Sequence, residues 1–392
     1  MNKKIKVLFL SVFAFSVLTG CSSGIGNSKL DSSDEIKVGL NYAYSGGAAT
    51  YGQGLTEGIE LAMEEINKNG GVLGKQLKTI KIDNKSEATE SANAATKLAT
   101  RDKVVAILGS DTSGSTKAAI PAAMQNNIPI ISGSATDDDV TVDSNGKVRD
   151  YVFKTCFNDS FQGILMAEFA YKDLGLKNAV ILADTTSDYA QGLSKNFKET
   201  FTALGGTVQV EEAYQAKETD FKAVLTRIKG KNPGVLFVPG YYEEVGLIVR
   251  QARELGLDMP ILGGDGYESP KLQEIAGNTA LNKVYYSSHY SPLEDSEIVL
   301  NFQKNFKEKY GKEPDAFNAL GYDLAYFLVD ALDRTGEVNS ERLRDSLAST
   351  IDFTGVTGNI SIDENHNPVK SATIIEMKDG QASFLKKLDP QK

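Results

Sequence analysis

Two loops rich in serine and threonine, and one aspartate between glycines, are the residues of this sequence best suited to hold a charged molecule. The first loop is Asp111-Thr-Ser-Gly-Ser-Thr116, which leads into a predicted helix, and the second is Ser132-Gly-Ser-Ala-Thr136. Free backbone N–H groups at a helix start, together with small hydroxyls, favour an anion such as a carboxylate. Asp265, in Gly263-Gly-Asp-Gly-Tyr267, offers a carboxylate whose natural partner is an ammonium group. Together these residues predict a site for a zwitterion.

Each of these signals also has an ordinary structural explanation. Serine and threonine are common helix caps, and a single aspartate in a loop is more often a turn residue. Five aromatic residues are candidates for an apolar wall, although aromatic side chains are more often part of the core. They are Tyr51, Tyr189, Tyr241, Tyr242 and Phe317.

Composition disfavours several other functions. The net charge is −10, and no basic cluster lies outside the N-terminus, which disfavours binding to nucleic acid. The segment from Gly109 to Thr116 has the glycine spacing of a phosphate loop but lacks the lysine after the second glycine. The two histidines, His289 and His366, are far apart and have no cysteine beside them, so a zinc site is not expected. With no apparent nucleophile–base pair, we expect neither an enzyme nor a cofactor.

Short β-branched apolar runs alternate with helix-period stretches along most of the chain. Residues 36–40 are typical of a strand, and apolar residues then recur at helical spacing from Leu55 to Ile66. The run 104–109 is continuously apolar, as in a strand buried on both faces. The alternation starts again after residues 151–157. Two such runs predict two parallel sheets covered by helices, with the ligand site at the carboxyl ends of the strands.

The N-terminus has the features of an export signal. Lysines precede an apolar run over residues 7–18, which is too short to span a bilayer, and Leu18-Thr-Gly-Cys21 follows. This ending resembles the lipobox of bacterial lipoproteins, which implies lipidation of Cys21; an ordinary signal with a chance cysteine is the alternative. Residues 22–34 have the composition of a flexible tether.

The remaining chain of about 370 residues exceeds a single core and argues for two domains. Its one other cysteine, Cys156, lies in an apolar alternating run and is predicted to be a small buried hydrophobe. With lipid on Cys21, no intramolecular disulfide can form.

Nine short motifs occur in a fixed order along the chain. They are Tyr51-Gly-Gln-Gly with Glu65-Ile-Asn-Lys-Asn-Gly-Gly, Thr112-Ser-Gly-Ser-Thr, Ile131-Ser-Gly-Ser-Ala-Thr, Asp159-Ser-Phe-Gln-Gly, Ser187-Asp-Tyr-Ala-Gln-Gly, Gly240-Tyr-Tyr-Glu-Glu, and Arg250-Gln-Ala-Arg with Gly264-Asp-Gly. From about Glu35 to Asp379 the sequence is similar to the branched-chain amino acid-binding proteins of ABC importers.

The resemblance implies the type I periplasmic-binding-protein fold, an α/β fold of two doubly wound parallel-sheet lobes. A hinge of three chain crossings, near residues 154, 286 and 366, would join lobe 1 (35–154 and 287–366) to lobe 2 (155–286 and 367–392).

The resemblance also implies a role for each site residue. Ser113, the backbone around Ser134 and Ala135, and the Thr136 hydroxyl would hold the α-carboxylate of an amino acid, while Thr136 and Asp265 would accept from its ammonium group. The side-chain pocket would be lined by Tyr51, Tyr189, Tyr241 and Phe317.

Two departures from the family pattern matter. Family members often have an apolar residue where this chain has Asp111, which puts the side-chain specificity in doubt unless the carboxylate points to solvent. Some members also carry a disulfide in the first lobe that this chain cannot form.

We therefore expect an extracytoplasmic, lipid-anchored and monomeric solute-binding protein of an ABC importer. It would close around a free amino acid, leucine, isoleucine or valine before others, and deliver it to the permease subunits. Three alternatives stay open: a polar amino acid or an amide or urea-like solute on the same scaffold, a sensory receptor, and an enzyme with a doubly wound core. A receptor usually continues into a membrane helix, whereas this sequence ends at Lys392 without one.

Overall fold

The computed structural model describes residues 35–388. The predicted signal (1–21), the predicted lipidation site Cys21 and the predicted tether (22–34) lie outside the described residues.

Strands and helices alternate as the sequence predicts, with additional short elements near the C-terminus. The strands are β1 (Glu35–Tyr42), β2 (Gln76–Asp83), β3 (Ala106–Gly109), β4 (Ile130–Ser132), β5 (Val152–Lys154), β6 (Asn178–Asp184), β7 (Thr207–Tyr214), β8 (Val235–Phe237), β9 (Ile261–Gly263), β10 (Val284–Ser288), β11 (Phe353–Gly355), β12 (Gly358–Ile362), β13 (Pro368–Val369), β14 (Ala372–Lys378) and β15 (Gln381–Leu388). The α-helices are α1 (Ala49–Lys68), α2 (Ala88–Lys97), α3 (Ser113–Gln125), α4 (Asp159–Glu168), α5 (Asp188–Ala203), α6 (Lys222–Lys229), α7 (Tyr242–Glu254), α8 (Pro270–Ala276), α9 (Glu297–Tyr310), α10 (Ala316–Thr335) and α11 (Ser340–Ala348).

Two large sheets organise the molecule. The first has the order β2-β1-β3-β4-β5 and is parallel throughout. The second has the order β15-β14-β10-β9-β8-β6-β7. From β10 to β7 the second sheet is parallel, in agreement with the predicted parallel-sheet lobes. At its other end it adds two antiparallel pairs, of β14 with β10 and of β14 with β15. These last strands are joined by a short turn, a connection that only antiparallel neighbours permit.

The assignment of residues to lobes stays a proposal. The first sheet lies within residues 35–154 and the second begins at Asn178. Sheet membership favours placing the second and third crossings a few residues after 286 and 366, because β10 runs to Ser288 and β13 pairs with β12 up to Val369. Residues 389–392 of the proposed second lobe lie outside the described part.

Helices α1 and α10 cross at very short distance in the first lobe. A Cβ atom added at Gly321 of α10 would overlap the carbonyl oxygen of Leu55 in α1, and one added at Gly58 would overlap that of Asn318. The absence of side chains at both glycines therefore sets the distance between the two backbones. This packing brings Tyr51, at the start of α1, onto Phe317, at the start of α10.

Within residues 35–388, each helix is too short or too polar to cross a bilayer.

Candidate ligand-binding site

The loop after β3 leads directly into α3, and Ser113 is the first residue of that helix. The N–H groups in the first turn of a helix have no partner within it, and the helix dipole favours an anion there. Ser113 is buried, and its hydroxyl accepts a hydrogen bond from the backbone N–H of Asp137 at 3.2 Å. This contact joins the two serine- and threonine-rich loops into one wall.

Most polar groups of the second loop form hydrogen bonds within the protein. The Ser132 hydroxyl accepts from the backbone N–H groups of Ser134 at 3.3 Å and Ala135 at 3.0 Å. The Ser134 hydroxyl donates to the carbonyl oxygen of Asp111 at 2.9 Å. Thr136, in contrast, is 1% exposed, and its hydroxyl oxygen has no hydrogen-bond partner among the described residues. Since buried polar groups are normally hydrogen-bonded, Thr136 is the residue of this loop best able to contact a ligand.

Asp265 lies in a short 3-10 turn directly after β9, at the carboxyl end of the second sheet, and is buried. Its Oδ1 accepts from the Tyr189 hydroxyl at 2.9 Å and from Gln162 Nε2 at 3.1 Å. Its Oδ2 lies 3.0 Å from Nε2 of His289. These three polar groups fix the orientation of the Asp265 carboxylate.

The space around Gly264, next to Asp265, is too small for a side chain. An added Cβ would lie 2.5 Å from the Tyr189 hydroxyl and 2.8 Å from Gln162 Oε1. The close packing of Tyr189 and Gln162, two residues that orient Asp265, therefore leaves no room for a side chain at this position.

Aromatic side chains from both lobes form a continuous wall. Tyr51 stacks on Phe317 with ring centroids 4.4 Å apart, and Tyr189 stacks on Tyr241 at 5.1 Å. Tyr51 also meets Tyr241 edge-on at 5.9 Å, which joins the two pairs. All nine predicted site residues thus lie on the facing ends of the two sheets or on this wall, and Tyr241 alone among them is partly exposed. Their contacts with a ligand remain predictions.

Comparison with known proteins identifies this architecture. Residues 35–382 match the family described as periplasmic binding protein. The chain belongs to this family. Its members are solute-binding components of transporters that act outside the cytoplasm, and the family is not one of enzymes.

Two solved structures and one curated relative are similar over most of the chain. The branched-chain amino acid transporter substrate binding protein LivJ from Streptococcus pneumoniae, in complex with isoleucine, is 40% identical with a TM-score of 0.85, and the match covers 91% of this chain and 100% of that one. The leucine binding protein LivK from Thermotoga maritima is 38% identical with a TM-score of 0.86, covering 91% and 99%. The leucine-, isoleucine-, valine-, threonine-, and alanine-binding protein of Pseudomonas aeruginosa is 28% identical over 337 residues, covering 84% and 86%. The two-lobed type I fold predicted from the sequence is thereby confirmed.

The lobes of this periplasmic binding protein are in direct contact across the cleft. The Tyr51 hydroxyl donates to the carbonyl oxygen of Gly266 and accepts from the backbone N–H of Tyr242 at 3.3 Å. Nearer the surface, Lys117 of α3 forms an ion pair with Asp188 of α5 at 2.7 Å. These contacts hold the two facing walls together, which corresponds to the closed form of a hinged binding protein.

The sequence analysis allowed that the Asp111 carboxylate points to solvent. In the structure this side chain is buried. It is 3% exposed, and its Oδ1 accepts from the backbone N–H of Ala43 at 3.0 Å and from Asn84 Nδ2 at 3.1 Å. Its Oδ2 has no hydrogen-bond partner among the described residues. Burial raises the pKa of Asp111 to about 6.

Replacing Asp111 by asparagine should change how stability depends on pH. The pKa of Asp111 is higher in the folded than in the unfolded chain, so its contribution to stability is full below about pH 4 and is lost as the pH rises through about 6. Asparagine can still accept from Ala43 and Asn84 through Oδ1. We therefore expect the free energy of unfolding of D111N, relative to wild type, to increase by about 2–3 kcal/mol between about pH 4 and about pH 7. Denaturant unfolding at both pH values measures this difference, and parallel pH curves for the two proteins would contradict it.

Cys156 is buried and unpaired, as predicted. Burial raises the pKa of its thiol to about 12, so the thiolate required of a nucleophile is not formed at neutral pH.

Sequence reasoning did not find His289 and Gln162 as partners of Asp265. His289 was considered only as a zinc ligand, although it directly follows β10, the strand beside β9. The rule that the carboxyl ends of neighbouring strands meet at one edge would have placed it next to Asp265. Gln162 lies in the motif Asp159-Ser-Phe-Gln-Gly, but the direction of its side chain depends on the register of α4.

Proposed function

We propose that this protein binds a free amino acid, first of all a branched-chain one, by closure of its lobes and delivers it to the permease of an ABC importer. The observation that carries the proposal is the opposition of two unlike subsites across one cleft. The start of α3 and the unpartnered Thr136 hydroxyl face the cleft from one sheet, while Asp265 faces it from the other. This arrangement suits the carboxylate and the ammonium group of one small zwitterion.

The electrostatics couple binding to closure. Each pole of the amino acid loses hydration when the cleft closes, and an unpaired buried charge is costly. Neither lobe alone offers partners to both poles, so closure is favoured when both subsites are filled. An aliphatic side chain of leucine size, buried against the aromatic wall, adds about 1.5–3 kcal/mol.

The relatives support an aliphatic ligand. The Streptococcus pneumoniae protein was solved with isoleucine, and the Pseudomonas aeruginosa protein is named for leucine, isoleucine, valine, threonine and alanine. Asp111, buried beside Ser113 with a free Oδ2, favours a second candidate class, amino acids with a hydroxyl or amide in the side chain.

Calorimetry with ligand-stripped protein tests the proposal. We expect L-leucine, L-isoleucine or L-valine to bind with a dissociation constant in or below about the micromolar range. Two matched probes each lack one pole: 4-methylpentanoate has no ammonium group, and 3-methylbutylamine has no carboxylate. Both should bind at least about 100-fold more weakly, because each leaves one buried subsite without its partner. Tighter binding of threonine or glutamine would select the second class, and binding of 4-methylpentanoate as tight as that of leucine would refute the zwitterion site.

We also propose that Cys21 carries a lipid anchor and that the protein works as a monomer at the outer face of the membrane. The support is the signal and lipobox-like ending of the sequence. Full-length protein should partition into the detergent phase of a phase-separating detergent, and Cys21→Ser should move it to the aqueous phase. Cys156→Ser is the matched control and should leave partitioning unchanged; a detergent-phase C21S protein would refute the anchor.

A further inference from the structure

A second buried carboxylate stands beside Asp265. Asp159, the first residue of α4, is 0% exposed, and its Oδ1 accepts from Nε2 of Gln162 at 2.8 Å. The same nitrogen donates to Asp265 Oδ1 at 3.1 Å. One amide group thus bridges two carboxylates in the floor of the cleft.

The other oxygen of Asp159 has no hydrogen-bond partner among the described residues, and neither has the hydroxyl of the neighbouring Thr136. The backbone N–H of Asp159 donates to the carbonyl oxygen of Thr136 at 2.8 Å, which places the two residues side by side. Asp159 Oδ2 and Thr136 Oγ1 are both buried, and neither forms a hydrogen bond of ordinary geometry among the described residues. The Gln162 side chain is not a partner for Asp159 Oδ2. Its Nε2 donates to the two Oδ1 atoms, and its Oε1 accepts from the Ser287 hydroxyl at 2.7 Å.

We propose that Asp159 holds a proton on Oδ2 in the ligand-free protein and releases it when the ammonium group of an amino acid binds between Thr136 and Asp265. This inference rests on the proposed function. It adds a second acidic residue to the ammonium subsite, and this residue acts on the ligand through Thr136 and Asp265. The O–H bond of Asp159 breaks, its electron pair stays on the carboxylate, and the proton passes to the buffer. The amino acid keeps all three protons of its ammonium group.

The surroundings of Asp159 explain why it is protonated before binding and ionised after it. Burial first, and then the negative charge of Asp265, raise the pKa of Asp159 well above its usual value. The nearby Thr136 hydroxyl acts in the opposite direction, while Asp138 and Asp137, in the loop after β4, raise the pKa further. A bound ammonium group supplies the positive charge that favours the ionised form, after which the Thr136 hydroxyl can donate to Asp159 and accept from the ligand.

Several other titratable groups at this floor are poor sources of the proton. Burial lowers the pKa of His289, which favours its neutral form. Burial raises the pKa values of Tyr189 and Tyr241 well above their usual values and that of Cys156 to about 12. The ammonium group of Lys154 donates to the carbonyl oxygens of Thr136 and Asp137 and to Asn158 Oδ1, so each of its hydrogens has an acceptor other than Asp159.

Proton linkage gives the sign of the pH dependence. A ligand that binds with release of protons binds more tightly as the pH rises, with a slope of log affinity against pH equal to the number released. In the pH range where Asp159 is protonated, leucine affinity should therefore increase with pH. Asp159→Asn keeps the Oδ1 acceptor and stays neutral, so its affinity should match wild type at low pH and fall behind as the pH rises.

The test is calorimetry with L-leucine in buffers of different ionisation enthalpy, between about pH 6 and about pH 8. We expect wild type to release a substantial fraction of one proton and D159N to release none. Glu268→Gln is the matched control, because burial raises the pKa of Glu268 to about 7, and its variant should retain the release.

Three results would overturn the inference while leaving the proposed function intact. They are leucine binding by wild type without proton exchange, undiminished release in D159N, and loss of the release in E268Q. If D159N fails to bind leucine, carbon-13 NMR of aspartate carboxyls in wild type decides instead: one carboxyl must shift to the ionised position on leucine addition, and no such shift overturns the inference. Failure of wild type to bind any amino acid would instead refute the proposed function.

Discussion

Asp265→Asn should lower the affinity for L-leucine by about two orders of magnitude or more and leave the fold intact. Removing one member of a buried ion pair costs about 3–5 kcal/mol, because the ligand ammonium group then loses the carboxylate that it contacts directly. The substitution keeps the shape of the side chain, and Oδ1 can still accept from Tyr189 and Gln162. His289 can adapt by moving its proton to Nδ1, which has no partner among the described residues, so that Nε2 accepts from the new amide.

Calorimetry with ligand-stripped protein measures this loss. The matched control is Asp258→Asn, which removes the same charge from an exposed position in the second lobe and should bind leucine like wild type. Circular dichroism and unfolding midpoints close to wild type would show that D265N is folded. An affinity within a few-fold of wild type would mean that Asp265 does not contact the ammonium group, and the proposed binding mode would be wrong.

The order of elements could be predicted because it depends on local patterns. The helical spacing from Leu55 to Ile66 lies within α1, and the continuous run at 104–109 contains β3, whose four residues are all buried. The sequence predicts a loop from Asp111 to Thr116 that leads into a helix, whereas α3 already starts at Ser113, within that loop. The difference matters, because the true start puts Ser113 in the first turn, where free N–H groups are available.

The antiparallel end of the second sheet could not be predicted in the same way. Strand periodicity shows that residues 372–377 are extended, but pairing direction depends on which edge of the sheet remains free once β6 to β10 are in place. The long strand β15 was missed, because its residues alternate between half-buried and exposed at the edge of the sheet.

The site was predicted by residue type, and its internal partners were not. Loop position at the carboxyl ends of strands identified Ser113, Thr136 and Asp265. The burial of Asp111 and the bridge from Gln162 to Asp159 depend on side-chain packing between segments distant in sequence. Composition and spacing carry no information on such contacts, since each of these residues is polar and would be assigned to the surface by type alone.

Gly321→Ala should destabilise the ligand-free protein by about 2 kcal/mol or more, although alanine is the better helix former. Within a helix, alanine is favoured over glycine by about 1 kcal/mol. At Gly321 that gain is outweighed, because the added Cβ would overlap the carbonyl oxygen and carbon of Leu55. These are backbone atoms of α1, so relief requires the two helices to separate, and overpacking of this kind costs about 1–3 kcal/mol or more.

Denaturant unfolding without ligand measures the effect, with Gly114→Ala as the matched control. Gly114 also lies in a helix, but an added Cβ there has no neighbour within 4 Å, so stability should stay unchanged or rise slightly. Separation of α1 from α10 would also pull Tyr51 away from Phe317, whose rings stack at 4.4 Å, so leucine affinity should fall in G321A even where the protein is fully folded. Wild-type stability of G321A would show that the helices tolerate a larger spacing, and that the two glycines do not set the position of the aromatic wall.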